Sequence, residues 1–116
     1  MKLIDNIQTT LLVKMMDVYA LRNKMTAANV ANIDTPGYQR KEVDFEGMLA
    51  QELESGNQSK DSIRRLQPTI KSTGEKPVIE DELLEMADTQ MRVQLTTRAL
   101  RHNYEQLKMG IIGRTG

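Results

Sequence analysis

The sequence predicts a mainly α-helical protein, with long N- and C-terminal helices packed as an antiparallel coiled-coil hairpin around a loop-rich, partly disordered middle. Apolar residues recur every seven positions near both ends of the chain, and no single period is sustained between them. Aromatic residues make up only 3% of the chain, with Phe45 the sole phenylalanine. Because aromatic rings supply much of the area of a typical core, these observations favour an elongated chain that completes its core with partners.

The first coiled-coil helix is predicted over residues 1–33. No Pro or Gly precedes Pro36, so nothing interrupts a helix of roughly 30 residues, about 45 Å long. Lys14 is the one charged interruption of the apolar stripe. The stripe consists of two lines, Ile4, Leu11, Val18, Met25 and Asn32, and Ile7, Lys14, Leu21 and Ala28.

Residues 34–46 are predicted to form a turn followed by an extended segment. Asn29 and Asn32 lie three apart at the end of the helix and therefore share one face. Pro36 ends the helix, because its ring removes a backbone donor and biases Thr35 away from helical geometry. Pro36 followed by Gly37 is the order that a type II turn requires. The pattern indicates a fixed exit from the first helix.

The middle segment, residues 47–77, is rich in polar residues and contains Gly56, Pro68 and Gly74. This composition predicts loops that are mobile or that become ordered only against a neighbour. A short helix over Glu46–Glu54 and a short strand over Thr69–Ser72 are the two regular elements that the pattern allows.

The second coiled-coil helix is predicted over residues 78–112. Its packing line is Met86, Val93, Leu100 and Leu107, flanked by Leu83, Gln90, Thr97, Tyr104 and Ile111. Glu80, Asp81 and Glu82 place negative charge at the positive end of the helix dipole. Gly110 and Gly113 are the expected stop signals. The two helices together form only a marginal core, so further burial against other chains is expected.

The net charge is zero, but both ends are basic and the middle is acidic. Residues 1–32 carry four basic and two acidic side chains, residues 33–91 seven and thirteen, and residues 92–116 five and one. Such asymmetry favours contacts between the ends and the middle of neighbouring subunits, although plain solvated faces give the same pattern. The chain has no cysteine, no apolar run of bilayer length and no apolar stretch typical of a signal peptide. A cytosolic protein or one exported without a cleaved signal is expected.

The sequence offers no arrangement of residues suited to catalysis, so no enzyme activity, cofactor or metal site is predicted. His102 is the only histidine and has no relay or ligand partners at suitable spacing, so a solvent-facing position is expected. Basic residues of the second helix are spread out without aromatic residues between them, which argues against nucleic-acid binding. Among the methionines, Met25 and Met86 suit helix packing, whereas Met15 and Met91, which lie off the stripes, suit either the core or a partner surface.

The segment Asn29-Val-Ala-Asn-Ile-Asp-Thr-Pro-Gly-Tyr38 resembles the N-terminal signature of the bacterial flagellar axial proteins, the family of rod, hook and hook-associated proteins. In that family a leucine-rich helix is followed by Ala-Asn-x-x-Asn-x-x-Thr-Pro-Gly-Tyr. The following Gln39-Arg-Lys-Glu-Val-Asp-Phe-Glu46, with Asp44 and Phe45, is similar to the Arg-x-x-Asp-Phe segment of proximal rod members. A heptad helix at each terminus is also typical, and the likeness covers residues 1–50 and 78–112.

The resemblance implies a structural subunit of the proximal rod of the flagellar basal body. Such a subunit would be exported by the flagellar type III apparatus and assembled helically in the periplasm, without membrane insertion. Its partners would be other copies of itself, other flagellar rod proteins, and components of the membrane ring and export gate. The residues expected to fix the helix exit and its packing in the assembly are Asn29, Asn32, Thr35, Pro36, Gly37 and Tyr38. The two asparagines could instead cap the helix and contact no neighbour.

Two other functions remain open from the residues alone. A soluble coiled-coil binding module, such as a secretion chaperone or regulator, would have the same terminal helices. Another rod component of the same family would share the Thr35–Tyr38 turn.

Overall fold

Two long helices and a small two-stranded sheet make up an elongated molecule of 64 × 29 × 17 Å. The computed structural model describes residues 6–56 and 59–115, with side chains as far as residue 110. Its elements are α1 (Ile7–Ala31), β1 (Lys41–Asp44), α2 (Glu46–Glu54), α3 (Lys60–Arg65), β2 (Thr69–Ser72) and α4 (Ile79–Thr115). The mainly helical class and the contact between the terminal helices are confirmed.

Helix α1 has 25 residues, and asparagine side chains serve both of its ends. The Asn6 side chain accepts a hydrogen bond from the Thr9 backbone N–H at 2.7 Å, which satisfies one of the donors exposed at a helix start. At the other end, Asn32 follows the last helical residue and its backbone N–H donates to Ala28 at 3.0 Å. Ile4, which we predicted to pack in this helix, lies outside the described residues.

The predicted stripe of α1 is only partly buried in the single chain. Val18 is fully buried, and Leu11, Leu21 and Met25 are half-buried. Ile7 is 38% exposed, so the packing that we predicted for it is not seen within one chain. Ile7 stands on the first turn of α1, where few described residues surround it.

Helix α4 is longer than predicted, because it runs to Thr115 rather than residue 112. Gly110 does not end it, since this residue lacks the positive φ that a glycine helix cap adopts. A glycine inside a helix costs only about 1 kcal/mol relative to alanine, and the flanking residues carry the helix past it.

The buried face of α4 is more polar than predicted. Val93, Leu100 and Leu107 are half-buried as expected, but Met86 is 40% exposed. The expected flanking residues Leu83 and Tyr104 are 55% and 62% exposed, so they are not packed within the single chain. The position beside the packing line belongs instead to the polar residues Glu82, Thr89, Thr96 and Asn103, again at seven-residue spacing.

Helices α1 and α4 run in opposite directions where they contact each other. Asn29, near the end of α1, hydrogen-bonds Glu82 near the start of α4. Ten residues earlier on α1, Tyr19 lies near Arg92, which is ten residues later on α4, and helps to raise the pKa of its guanidinium. The end of α1 and the start of α4 are therefore brought together beside the sheet.

The middle segment contains more structure than the loop-rich prediction allowed. Helix α2 and strand β2 occupy the two predicted ranges, and these predictions are confirmed. Strand β2 pairs antiparallel with β1, with Lys41 opposite Ser72 and Asp44 opposite Thr69. Helix α3 was missed, because six residues are too few to display a helical period. Its Ile63 is 1% exposed, so this part of the middle is packed.

A small apolar core lies where α1 crosses the sheet. Its buried members are Val18, Val43 and Phe45, and the partly buried residues packed against them are Met15, Leu21, Met25, Leu49 and Leu66. Met15 thus belongs to the core, whereas Met91 is 61% exposed. In the part of the chain that the structure describes, no helix combines the length and the apolar character needed to cross a bilayer.

Candidate functional site

The exit of α1 is fixed by Asn32 and the turn that follows it. The Asn32 side-chain amide donates to the Ala28 carbonyl at 2.8 Å, and its oxygen accepts from the Thr35 hydroxyl at 3.2 Å. The Tyr38 backbone N–H donates to the Thr35 carbonyl at 3.2 Å, which closes a turn around Pro36 and Gly37. Gly37 has φ +77°, the value of the third position of a type II turn.

Asn29 is the centre of a buried polar cluster beside this turn. Its side chain is 1% exposed, and its amide donates to the Lys41 carbonyl at 2.9 Å and to Glu82 Oε2 at 3.2 Å. Its oxygen accepts from the Lys41 backbone N–H at 2.9 Å and from the Tyr38 hydroxyl at 3.2 Å. These four bonds use both donors and both acceptor positions of the amide. The side chain therefore pairs with the first residue of β1 as a neighbouring strand would.

Glu82 joins the same cluster from α4. Its side chain is fully buried, and Oε1 accepts from Arg40 Nε at 2.8 Å. This hydrogen bond raises the pKa of the Arg40 guanidinium above its ordinary value, against the lowering effect of partial burial. A buried carboxylate is expensive unless it is paired and hydrogen-bonded, and Glu82 meets both conditions.

Arg40 connects this cluster to the segment that leads into α4. Its backbone N–H donates to the Glu75 carbonyl at 2.7 Å, and its carbonyl accepts from the Thr73 N–H at 3.0 Å. Arg40, in the segment that leaves α1, is thus bonded to the segment that leads into α4. We call the group Asn29, Tyr38, Arg40, Lys41 and Glu82 the joint, because it links the end of α1, the start of β1 and the start of α4.

A second set of contacts attaches α1 to the segment after β1. Arg22 donates to both carboxylate oxygens of Glu46 at 2.6 Å and to the Val43 carbonyl at 3.2 Å. Phe45 is fully buried in the core between these two contacts. Asp44 lies on the strand beside it and pairs with Lys71 of β2 at 3.0 Å.

The residues predicted to fix the helix exit all have a defined place within the single chain. It brings Asn29 and Tyr38 into the joint, Asn32, Thr35, Pro36 and Gly37 into the turn, and Phe45 into the core. The sequence reasoning missed Arg22, Arg40 and Glu82. Glu82 was interpreted as a helix-dipole residue, although its position seven residues before Thr89 places it on the buried line of α4.

A charged cleft of about 230 Å³ lies next to the joint, between α1, β1 and α4. Its walls include Arg22, Arg40 and Arg92, which pair with Glu46, Glu82 and Asp88 respectively. The hydrogen bond to Asp88 and a smaller contribution from Tyr19 raise the pKa of Arg92. These three arginines of the cleft are therefore already paired within the chain. Among the described residues, no cluster of three or more His, Asp or Glu side chains is suited to a metal ion.

Comparison with known proteins finds a similarity over the segment that contains Asn29 and the turn. The sequence profile described as "Flagella basal body rod protein" matches residues 19–39, which include Asn29 and the whole turn. The flagellar basal body rod protein FlgB of Bacillus subtilis is 24% identical over 108 residues, covering 80% of this chain and 84% of that protein. The chain is thus similar to flagellar basal body rod proteins, most closely over the segment that contains Asn29 and the turn.

Other flagellar basal body rod proteins match a shorter part of the chain. FlgB of Proteus mirabilis is 39% identical over 57 residues, covering 47% of this chain and 40% of the relative. FlgB of Escherichia coli K12 is 42% identical over 41 residues, covering 35% of this chain and 30% of the relative. The chain thus spans less than half the length of these two relatives.

Proposed function

We propose that this protein is a structural subunit of the flagellar basal-body rod, in its proximal part, and that it has no enzymatic activity. The observation that carries the proposal is the position of the family match. Residues 19–39 run from Tyr19, which faces α4, through Asn29 to the Tyr38 turn. The segment shared with rod proteins is therefore the one that sets how α1 leaves the core.

In this proposal, α1 and α4 form an antiparallel coiled-coil hairpin and assemble helically with neighbouring subunits. The support is the apolar surface that one chain leaves uncovered, since large apolar patches on a single chain mark interaction surfaces. Leu84, Met91 and Leu95 of α4 are 70%, 61% and 58% exposed, and Val13 of α1 is 51% exposed. The proposed partners are other copies of this chain, other flagellar rod proteins, and ring and export-gate components.

The proposed route to the periplasm is export through the flagellar type III apparatus, without a cleaved signal peptide. Two properties of the chain support this route. It has no cysteine, so an oxidising compartment cannot cross-link it. Few large side chains are fully buried among the described residues, and a small core favours unfolding for passage.

A soluble coiled-coil binding module is the second candidate, because the same exposed side chains of α4 could receive a partner helix. The two functions predict different locations for the protein. A rod subunit is required to build the basal body, whereas a binding module acts without being part of it.

The test is deletion of the gene in the bacterium that carries it, followed by a swimming assay and complementation. We expect the deleted strain to lose swimming, and the intact gene supplied in trans to restore it. Two variants are also tested by complementation. Asn29→Ala removes the central side chain of the joint, and Asn32→Ala, which alters the turn but leaves the joint, is its matched control. A deleted strain that swims normally would contradict the rod assignment.

A further inference from the structure

Helix α4 has a second heptad seam on the face turned away from α1. Its positions alternate by four and three residues, which is the spacing of an a/d stripe. All six are exposed in the single chain. We call this the outer seam, and it consists of Leu84, Asp88, Met91, Leu95, Arg98 and His102.

The apolar residues of the outer seam, Leu84, Met91 and Leu95, are left exposed by the described chain. Helix α1 is the main element that packs along α4, and it covers the opposite line of Glu82, Thr89 and Thr96. Leu84, at 70% exposed, and Met91, at 61%, are among the most exposed large apolar side chains of the molecule. A heptad seam whose three apolar side chains are left in solvent favours a partner helix.

The order of charges along the seam selects the partner. Asp88 stands before the central pair Met91 and Leu95, and Arg98 follows it at about the same distance. If a second copy lies antiparallel, each seam residue faces the residue of the other copy that lies equally far on the opposite side of the centre. Asp88 then meets Arg98 of the other copy, Met91 meets Leu95, and Leu84 meets His102. A parallel, in-register copy would instead place Asp88 against Asp88 and Arg98 against Arg98, and like charges in contact are destabilising.

We propose that the outer seam is a dimer interface for a second copy of this chain, packed antiparallel about a two-fold axis near residue 93. The pairing places each a position of one helix against a d position of the other. Such an isologous contact uses the same patch on both copies and closes on itself, so it cannot extend into a polymer. The dimer is therefore a state of the chain outside the rod, in which the exposed leucines and methionine are covered.

Two adjacent leucines provide a matched pair of variants. Leu84 lies on the seam and Leu83 does not, yet both are more than half exposed and neither supports the fold. In sedimentation equilibrium of the full chain, Leu84→Ala should raise the dimer Kd at least about tenfold, because both copies lose the contact. Leu83→Ala should leave the Kd within about twofold. Equal effects of the two substitutions, or a wild-type chain that stays monomeric at high concentration, would overturn the proposal.

Charge reversal tests the Asp88–Arg98 pairing. Asp88→Arg and Arg98→Asp should each raise the Kd, and the double variant should return to near the wild-type value because the pair is restored with its signs exchanged. Asp88 also pairs with Arg92 of its own helix at 2.8 Å. Arg92→Gln, which removes that partner of Asp88 within the helix, should not weaken the dimer. A double variant weaker than both single variants would contradict the pairing.

The absence of cysteine allows the orientation to be measured by disulfide trapping. In the antiparallel pair, position 84 of one copy faces position 102 of the other, so a mixture of Leu84→Cys and His102→Cys chains should cross-link on mild oxidation. Leu84→Cys alone should not, because its two copies are 18 residues apart along the axis, about 27 Å at 1.5 Å per residue. Cross-linking of Leu84→Cys with itself but not with His102→Cys would show a parallel pair and overturn the proposal. Neither result bears on the swimming phenotype, so the dimer and the rod role are tested separately.

Discussion

At the scale of single residues, Asn29 determines how the chain turns from helix to strand. Its amide satisfies the backbone N–H and C=O of Lys41, which begins β1 and would otherwise lack a partner on that side. A hydroxyl or a shorter side chain cannot make both bonds, and a carboxylate would face the Glu82 carboxylate. The requirement for an amide at this position is therefore a matter of hydrogen-bond geometry within the chain.

We predict that Asn29→Ala lowers the free energy of unfolding by about 2–4 kcal/mol, since it leaves buried groups of Lys41 and Glu82 unpaired. Asn32→Ala removes a half-buried cap and should cost only about 0.5–2 kcal/mol. Urea denaturation followed by circular dichroism measures both. Equal losses for the two variants would show that the buried position of Asn29 adds nothing.

Replacing the glycines at positions 37 and 110 by alanine should change the stability in opposite directions. Gly37 holds φ +77° in the turn, so Gly37→Ala should destabilise by about 1–2 kcal/mol although its side chain would meet no atom within 4 Å. Gly110 lies in α4 with the same open surroundings, so Gly110→Ala should stabilise by up to about 1 kcal/mol. Thermal unfolding of the two variants gives the comparison. A stabilised Gly37→Ala chain would contradict the turn geometry.

At the scale of elements, the contact between α1 and α4 is polar along much of its length. Glu82, Thr89 and Thr96 occupy positions that aliphatic residues fill in a stable coiled coil. The side-chain nitrogen of Asn103 is buried and has no hydrogen-bond partner among the described residues. Polar residues at such positions specify register at the expense of stability.

We predict that Asn103→Leu stabilises the chain by about 1–2 kcal/mol, because it replaces an unpaired buried amide with apolar surface. Gln106 lies one turn further along the same helix and is exposed, so Gln106→Leu is the control and should change the stability by less than about 0.5 kcal/mol. Chemical denaturation of both variants decides. A destabilised Asn103→Leu chain would mean that the amide has a role in this contact.

The long elements could be predicted from the sequence because periodicity over many residues is a strong signal. The turn at Pro36 and Gly37 could also be predicted, since few residues adopt its backbone angles. Glu82 and Arg40 could not be assigned to one site, because they lie 42 positions apart and meet only when β1 and α4 pack together. The polar line of α4 was missed for a related reason: an apolar pattern search gives no weight to buried Thr and Glu.

At the scale of the whole molecule, the buried contacts are concentrated where the sheet meets the two long helices. The buried group of Val18, Val43 and Phe45 lies against the middle of α1, and the joint lies at the end of α1 and the start of α4. Toward Ile7, the described part of α1 has no large apolar side chain that is fully buried before Val18. Stability should therefore differ along each long helix.

We predict that hydrogen exchange of the dilute monomer is slowest between Val18 and Asn29 and becomes faster toward Ile7 on α1 and beyond Leu100 on α4. The reason is that backbone amides far from the core open by local unfolding at low free-energy cost. Mass spectrometry of exchanged peptides resolves these segments. Uniform protection along both helices would contradict this distribution.

The central claim, that the chain is a structural subunit of the flagellar rod, is tested most directly by measuring its presence in purified basal bodies. Basal bodies would be isolated from cells carrying a functional tagged copy, stripped of the filament and hook, and examined by quantitative mass spectrometry. We predict that the chain remains at a constant ratio to the other rod components. Intact basal bodies that lack the chain would contradict it.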